Sequence, residues 1–278
     1  MMDSKDTNRL FSLTRGQGRP VVLLHGLTAS HHDWDNLAPV LVDAGYQVFL
    51  LDLLGHGDSP KPDETEKYTL ENLYNTFQDW LAQEGPTQPY FLVGHSLGGY
   101  LSLRLALERN KDVLGLVLSA PFYSLRQISP VARQFLQYPM ISEQALRLAN
   151  PYLVYSVLGL VSPWNGKYPN HSRWQTAVDY TRASPPSMRF PASAIDLIPH
   201  LGEINPPTLV IWGKNDLVLN PKLFPPLVNA LPHGRGHPFS DCGHEPHLAC
   251  MSRFIQLTLE FIQEHSHERQ PDPSRASL

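Results

Sequence analysis

Gly94-His95-Ser96-Leu97-Gly98-Gly99 follows the largely apolar run Tyr90-Phe91-Leu92-Val93 and precedes a stretch carrying Leu101, Leu105 and Ala106 at helical spacing. A strand that passes into a helix across Gly-x-Ser-x-Gly has to turn sharply, and the turn holds the serine in a strained backbone conformation. The residues two before and two after it then approach other backbone so closely that a Cβ would clash, and glycine stands at both 94 and 98. The turn also lifts the Ser96 hydroxyl clear of its surroundings and sets the Leu97 amide at a helix N-terminus, where developing negative charge is favoured. The pentapeptide alone is common; the strand before it and the helix after it give it weight.

Working outward, apolar runs of strand length recur at Val21–Leu24, Val48–Leu51, Leu114–Leu118 and Leu209–Trp212. Between most of them lie helical spacings, at Leu37–Ala44, Leu70–Ala82 and Leu97–Glu108. Alternating strands and helices predict an α/β, doubly wound and mostly parallel sheet covered on both faces, and a doubly buried strand should read as a continuous apolar run, as Val21-Val22-Leu23-Leu24 does. The alternation stops between 121 and 201, where seven prolines from Pro130 to Pro186 punctuate short helical stretches. That segment is expected to form an inserted helical cap. The core then comprises 1–120 and 202–264, with a last helix at Phe254–Gln263, and the polar 265–278 reads as a disordered tail.

Composition narrows the possibilities. The 278 residues are 42% hydrophobic, enough for one large core, while 17% are charged and the net charge is −4. No broad basic field is present, so no nucleic-acid partner is expected. The N-terminal residues lack the apolar core of a secretory signal, which favours a cytoplasmic location. The most apolar run, Tyr152–Val161, is about ten residues long against the roughly twenty that span a bilayer, and no membrane partner is expected. Cys242 and Cys250 are too few for a disulfide framework or a structural zinc site; they read as reduced and buried, and no metal or cofactor is implied.

A serine hydroxyl is a weak nucleophile until a base takes its proton, and the base needs an acid to orient it. Among 13 histidines, His244 in Asp241-Cys242-Gly243-His244-Glu245-Pro246 lies in a turn after an apparent strand near His237–Ser240, late enough for a loop to return it to Ser96. His237 and His247 compete for the role; His25, His56 and His95 sit inside other turns and read as loop hydrogen-bonders. Asp216 follows the strand Leu209–Trp212 at the carboxyl edge of the sheet, where α/β folds build sites, although an Asx-turn would also account for it. The loop His25-Gly26-Leu27-Thr28 can bring a second amide, that of Leu27, beside that of Leu97. In the 121–201 segment each aromatic alone reads as packing; Phe122, Tyr123, Tyr152 and Trp164 are the candidates to face a substrate.

Together His25-Gly26, the Asp52–Ser59 turn, Gly94 to Gly99, Asp216 and Gly243-His244 resemble the α/β-hydrolase superfamily, in its serine esterase and lipase branch with a helical cap, over roughly residues 20–262. The resemblance implies Ser96 as nucleophile, His244 as general base and acid, Asp216 as orienting carboxylate, and the Leu27 and Leu97 amides as oxyanion hole. Two positions depart from it: Leu54 stands where relatives often have Arg or Pro, and the early loop has a single glycine. The expected activity is hydrolysis of small to medium, moderately hydrophobic carboxylic esters. Carbon–carbon hydrolase, lyase, perhydrolase and acyltransferase chemistry use the same serine, whereas dehalogenases and epoxide hydrolases of the superfamily carry Asp there. The alternative outside catalysis is a hydrolase-like receptor that only holds a small molecule. Oligomeric state is not readable from the sequence.

Overall fold

The computed structural model describes residues 9–136, 138–165 and 169–266; the side chains of 131, 135 and 161–165 are also outside the description. Seven strands form one sheet: β1 (Ser12–Arg15), β2 (Arg19–Leu24), β3 (Tyr46–Leu51), β4 (Tyr90–His95), β5 (Val113–Ser119), β6 (Thr208–Gly213) and β7 (Gly234–Phe239). Their order is β1-β3-β2-β4-β5-β6-β7, and every pairing except β1 with β3 is parallel. The expected doubly wound sheet is therefore present. The antiparallel edge strand β1 has no counterpart in the sequence reading, because Ser-Leu-Thr-Arg is half-exposed and too short to show a period. β7, expected near 237–240, starts earlier, and its Gly-Arg-Gly-His-Pro run lacks the apolar signature since this edge strand is mostly exposed.

The helices are α1 (Leu37–Asp43), α2 (Leu70–Gln83), α3 (Leu97–Glu108), α4 (Pro130–Leu136), α5 (Pro139–Leu148), α6 (Pro151–Asn165), α7 (Asn170–Arg182), α8 (Phe224–Ala230), α9 (Pro246–Ala249) and α10 (Met251–Ser266). α2 shows why such segments are helical: Thr69 caps its N-terminus through the Asn72 amide, and Leu70, Leu73, Tyr74, Phe77, Trp80 and Leu81 are buried along one stripe. Alternate residues of β2 enter opposite cores. Val22 and Leu24 join the core with Phe77, Trp80 and Tyr100, while Val21 and Leu23 join the core with Trp34, Leu41, Phe254 and Phe261. Both faces need apolar side chains, hence the unbroken run.

The described elements between β5 and β6 are helical, from α4 to α7 followed by 3-10 turns at Pro185–Ser193 and Ile198–Glu203. α10 runs to Ser266, past the expected start of the tail, because His265 is buried and the Ser266 hydroxyl pairs with that of Tyr46. Residues 267–278 lie outside the described residues. Cys242 and Cys250, expected as separate thiols, stand sulfur against sulfur with Cα atoms 6.3 Å apart, a separation that a disulfide spans. Among the described residues no helix is long and apolar enough to cross a membrane.

Candidate active site

The chain passes from β2 to β3 on one side and crosses back to β4 on the other, so the carboxyl ends of β2 and β4 open a crevice at the switch point. Ser96 lies there, between β4 and α3, with φ 46° and ψ −105°. This left-handed backbone is strained for a non-glycine residue, and the surroundings hold it: the Ser96 amide donates to the Ser119 carbonyl, and the Phe122 amide donates to the Ser96 carbonyl, both at 3.0 Å. A Cβ on Gly94 would sit 2.5 Å from the Gly98 carbonyl oxygen, and one on Gly98 would meet the backbone of Leu24 and His25. Glycine at these two positions is thus a steric requirement of the turn. The Gly98 amide also donates to the His25 carbonyl at 3.1 Å, tying the turn to the loop that carries Leu27. Leu97 opens α3, so its amide is at the helix N-terminus.

Across the crevice, His244 Nδ1 donates to Asp216 Oδ2 at 2.8 Å, with both residues buried. The other carboxylate oxygen of Asp216, Oδ1, accepts the amides of Val218 at 2.8 Å and Leu219 at 2.9 Å. The Asx-turn and the imidazole partner, alternatives in the sequence, are therefore both realised, one on each oxygen. Burial works against the charged His244 imidazolium. The charge and hydrogen bond of Asp216 outweigh it, with Glu245 and Asp33 adding, so the pKa stands above its ordinary 6.5.

Ser96, Leu27, Leu97 and His244 line one cavity of about 580 Å³. Its walls are mostly apolar, including Phe122, Leu136, Leu158, Met188 and Leu219, and its described lining contains no Lys or Arg. Of the described aromatic candidates only Phe122 lines it. Tyr123 does not, because its hydroxyl donates to the Leu223 carbonyl at 2.7 Å and holds the ring in the core. Tyr152 does not either; it is on the outer side of α6, 74% exposed and packed against Trp174. The side chain of Trp164 is outside the described residues. Tyr180 and Leu217 to Leu219, not singled out in the sequence, complete the walls. Their part depends on how the segments between β5 and β6 and after β6 are placed against the Ser96 turn, which no local pattern encodes.

The remaining turn histidines make loop contacts. His25 Nε2 accepts the Leu53 amide at 2.9 Å, and His56 Nδ1 pairs with the Leu54 carbonyl. His95 Nε2 pairs with the His244 carbonyl at 3.2 Å, and His247 Nδ1 pairs with the Ser119 hydroxyl at 3.1 Å. The other nitrogens of His95 and His247 each face Asp33 Oδ2 at 3.6 Å. Burial and the neighbouring His247 push the His95 pKa down to about 3, so that ring is neutral at ordinary pH. Asp33 escaped the sequence reading. It connects the segment after the Leu27 loop to residues beside both Ser96 and His244, three stretches far apart in the chain. These donor atoms lie within 4.8 Å of one another, a residue set of metal-ligating type; Asp241, Cys242 and Cys250 form another.

The family model for the alpha/beta hydrolase fold matches residues 19–249. Among curated proteins, bifunctional epoxide hydrolase 2 of Sus scrofa is 28% identical over 299 residues, covering 92% of this chain and 53% of its own length, so the chain spans about half of that relative. The 2-hydroxy-6-oxononadienedioate/2-hydroxy-6-oxononatrienedioate hydrolase of Comamonas testosteroni is 29% identical over 260 residues, 89% of this chain and 88% of that protein. Among solved structures, an esterase from Exiguobacterium antarcticum superposes with a TM-score of 0.76 at 19% identity, covering 91% of this chain and 95% of its own, a likeness of fold.

Proposed function

This chain belongs to the alpha/beta hydrolase fold family, and on that premise we propose that it hydrolyses carboxylic esters of small to medium, moderately hydrophobic molecules through an acyl-enzyme on Ser96. The observation that carries the reading is the strained Ser96 turn sharing one apolar cavity with a His244 already bonded to Asp216. In this reading Ser96 Oγ attacks the ester carbonyl while His244 Nε2 takes the hydroxyl proton, and the Asp216 carboxylate stabilises the imidazolium. The carbonyl electron pair moves onto oxygen, which the Leu27 and Leu97 amides receive. As the pair returns, the carbon–oxygen bond to the leaving alcohol breaks and His244 protonates that oxygen. Water then attacks the acyl-enzyme with His244 again as base, releasing the acid and restoring Ser96.

The relatives include hydrolases whose names specify dienoate and dienedioate substrates, which are carboxylates. Carbon–carbon cleavage of such anions is the second reading. The described cavity lining has no Lys or Arg to meet a carboxylate, which favours a neutral ester. Epoxide hydrolysis through a carboxylate nucleophile is disfavoured because the turn carries Ser96. A panel of p-nitrophenyl esters from acetate to palmitate tests the proposal. Turnover that peaks at short to medium acyl chains is expected; inactivity across the whole panel would overturn it.

A further inference from the structure

The run Tyr152–Val161, too short to cross a bilayer, is not too short to lie on one. It forms most of α6, and no Asp, Glu, Lys or Arg occurs anywhere in Pro151–Asn165. A helix of this composition ordinarily buries itself. Here Tyr152 and Leu160 are 74% and 73% exposed, and α5 likewise exposes Met140 at 79% and Leu148 at 70%. Among the described residues, every large hydrophobic side chain that is exposed lies between Leu125 and Val218. Seven of those fourteen lie on α5 and α6, and exposed apolar surface so concentrated marks a contact site. Leu153 and Val157 of α6 are exposed and also line the cavity, so the apolar surface continues inward towards Ser96.

Charge indicates what covers this face. Between 130 and 182 the sequence has five Lys and Arg against two acids, in a chain whose net charge is −4; of these cations Arg182 pairs with Asp58 and Arg173 stacks on the Tyr155 ring. Both acids are turned inward: Glu143 is buried and accepts from Arg189, and Asp179 is buried against His32 and Gln175. Arg133 and Arg147 are exposed. An apolar helix face with cations beside it, and acids withdrawn from it, is the pattern that suits the headgroup boundary of an anionic bilayer.

We propose that α5 and α6 dock this protein on an anionic phospholipid surface, with the cavity mouth towards the lipid. The docking stands on the exposed face and its charge, independently of the ester-hydrolysis reading. Flotation of the full chain carrying Ser96→Ala tests it, with vesicles of phosphatidylcholine alone and vesicles containing about one third phosphatidylglycerol. The protein is expected to float with the anionic vesicles and at least about tenfold less with the neutral ones, since each cation near such a surface adds to binding. Adding Leu148→Glu, Tyr152→Glu and Leu160→Glu, at residues that do not line the cavity, should abolish flotation. The same three substitutions in the active chain should leave p-nitrophenyl butyrate hydrolysis within about twofold. Protein that stays unbound with both vesicle types overturns the proposal. So does a dimer in sedimentation velocity that the triple substitution dissolves, which would assign the face to a second copy of this chain. Because flotation is read on an inactive variant, its failure leaves the hydrolysis reading intact, and a failed ester assay leaves the docking intact.

Discussion

The turn around Ser96 and the helices between β5 and β6 face the same cavity but are built by opposite rules. At the turn, backbone packs on backbone: Gly94 and Gly98 have no room for a side chain, and the Ser96 peptide is bonded on both sides to β5 and the segment after it. In the helices, side chains make the surface, and much of the apolar content of α5 and α6 is not buried at all. Backbone constraints tolerate few residue types, whereas a side-chain wall tolerates many of similar volume. The chemistry is therefore expected to reside in the turn and its partners, and the choice of substrate in those helices.

Four substitutions sharpen or break that division, taken from the largest effect to the smallest. Ser96→Ala should lower kcat/KM for p-nitrophenyl butyrate by at least about 10,000-fold while leaving the circular dichroism spectrum unchanged. Full residual turnover would move the chemistry away from the turn. Gly98→Ala should cost about 1–3 kcal/mol or more by overpacking against the Leu24 and His25 carbonyls, seen as a lowered midpoint in urea, and activity should fall with it. Unchanged stability would mean that the turn is softer than its contacts imply.

Asp33→Ala removes the buried carboxylate facing His95 and His247 and should cost about 1–3 kcal/mol. Metal analysis of the purified wild-type protein belongs beside it: a stoichiometric ion would give Asp33, His95 and His247 a ligand role in place of the electrostatic one. Leu158→Trp, in the cavity wall, should lower kcat/KM for octanoate relative to acetate by about tenfold with little change in urea midpoint. A uniform loss for both esters would contradict the division.

The pH profile probes the pairing of His244 with Asp216. His244 must be neutral to accept the Ser96 proton, and its pKa is raised, so kcat/KM should fall as pH drops through a midpoint above 6.5. In Asp216→Asn the residual activity should show that midpoint shifted down. A limb that does not move would detach Asp216 from the base.

What could be read in advance follows the same division. β2 and β4 were legible because both their faces are buried, and the Ser96 turn because its glycines answer a local steric demand. The pairing of Asp216 with His244 was legible through position after strands, although either could have been only a turn residue. β1 and β7 were harder because edge strands carry little apolar signal. Tyr123 and Tyr152 were misplaced because an aromatic residue serves a core, a cavity wall or an outer face equally well. Their direction is decided by a hydroxyl partner in one case and by helix phase in the other. Asp33 was invisible because its significance lies wholly in two imidazoles distant in the chain.

Whether Ser96 is a nucleophile activated by His244 is decided by mapping the adduct of a fluorophosphonate probe by peptide mass spectrometry. One probe per chain is expected, on the peptide containing Ser96, with labelling slowed in His244→Ala. Folded protein that takes up no probe, or takes it up at another residue, would contradict that expectation.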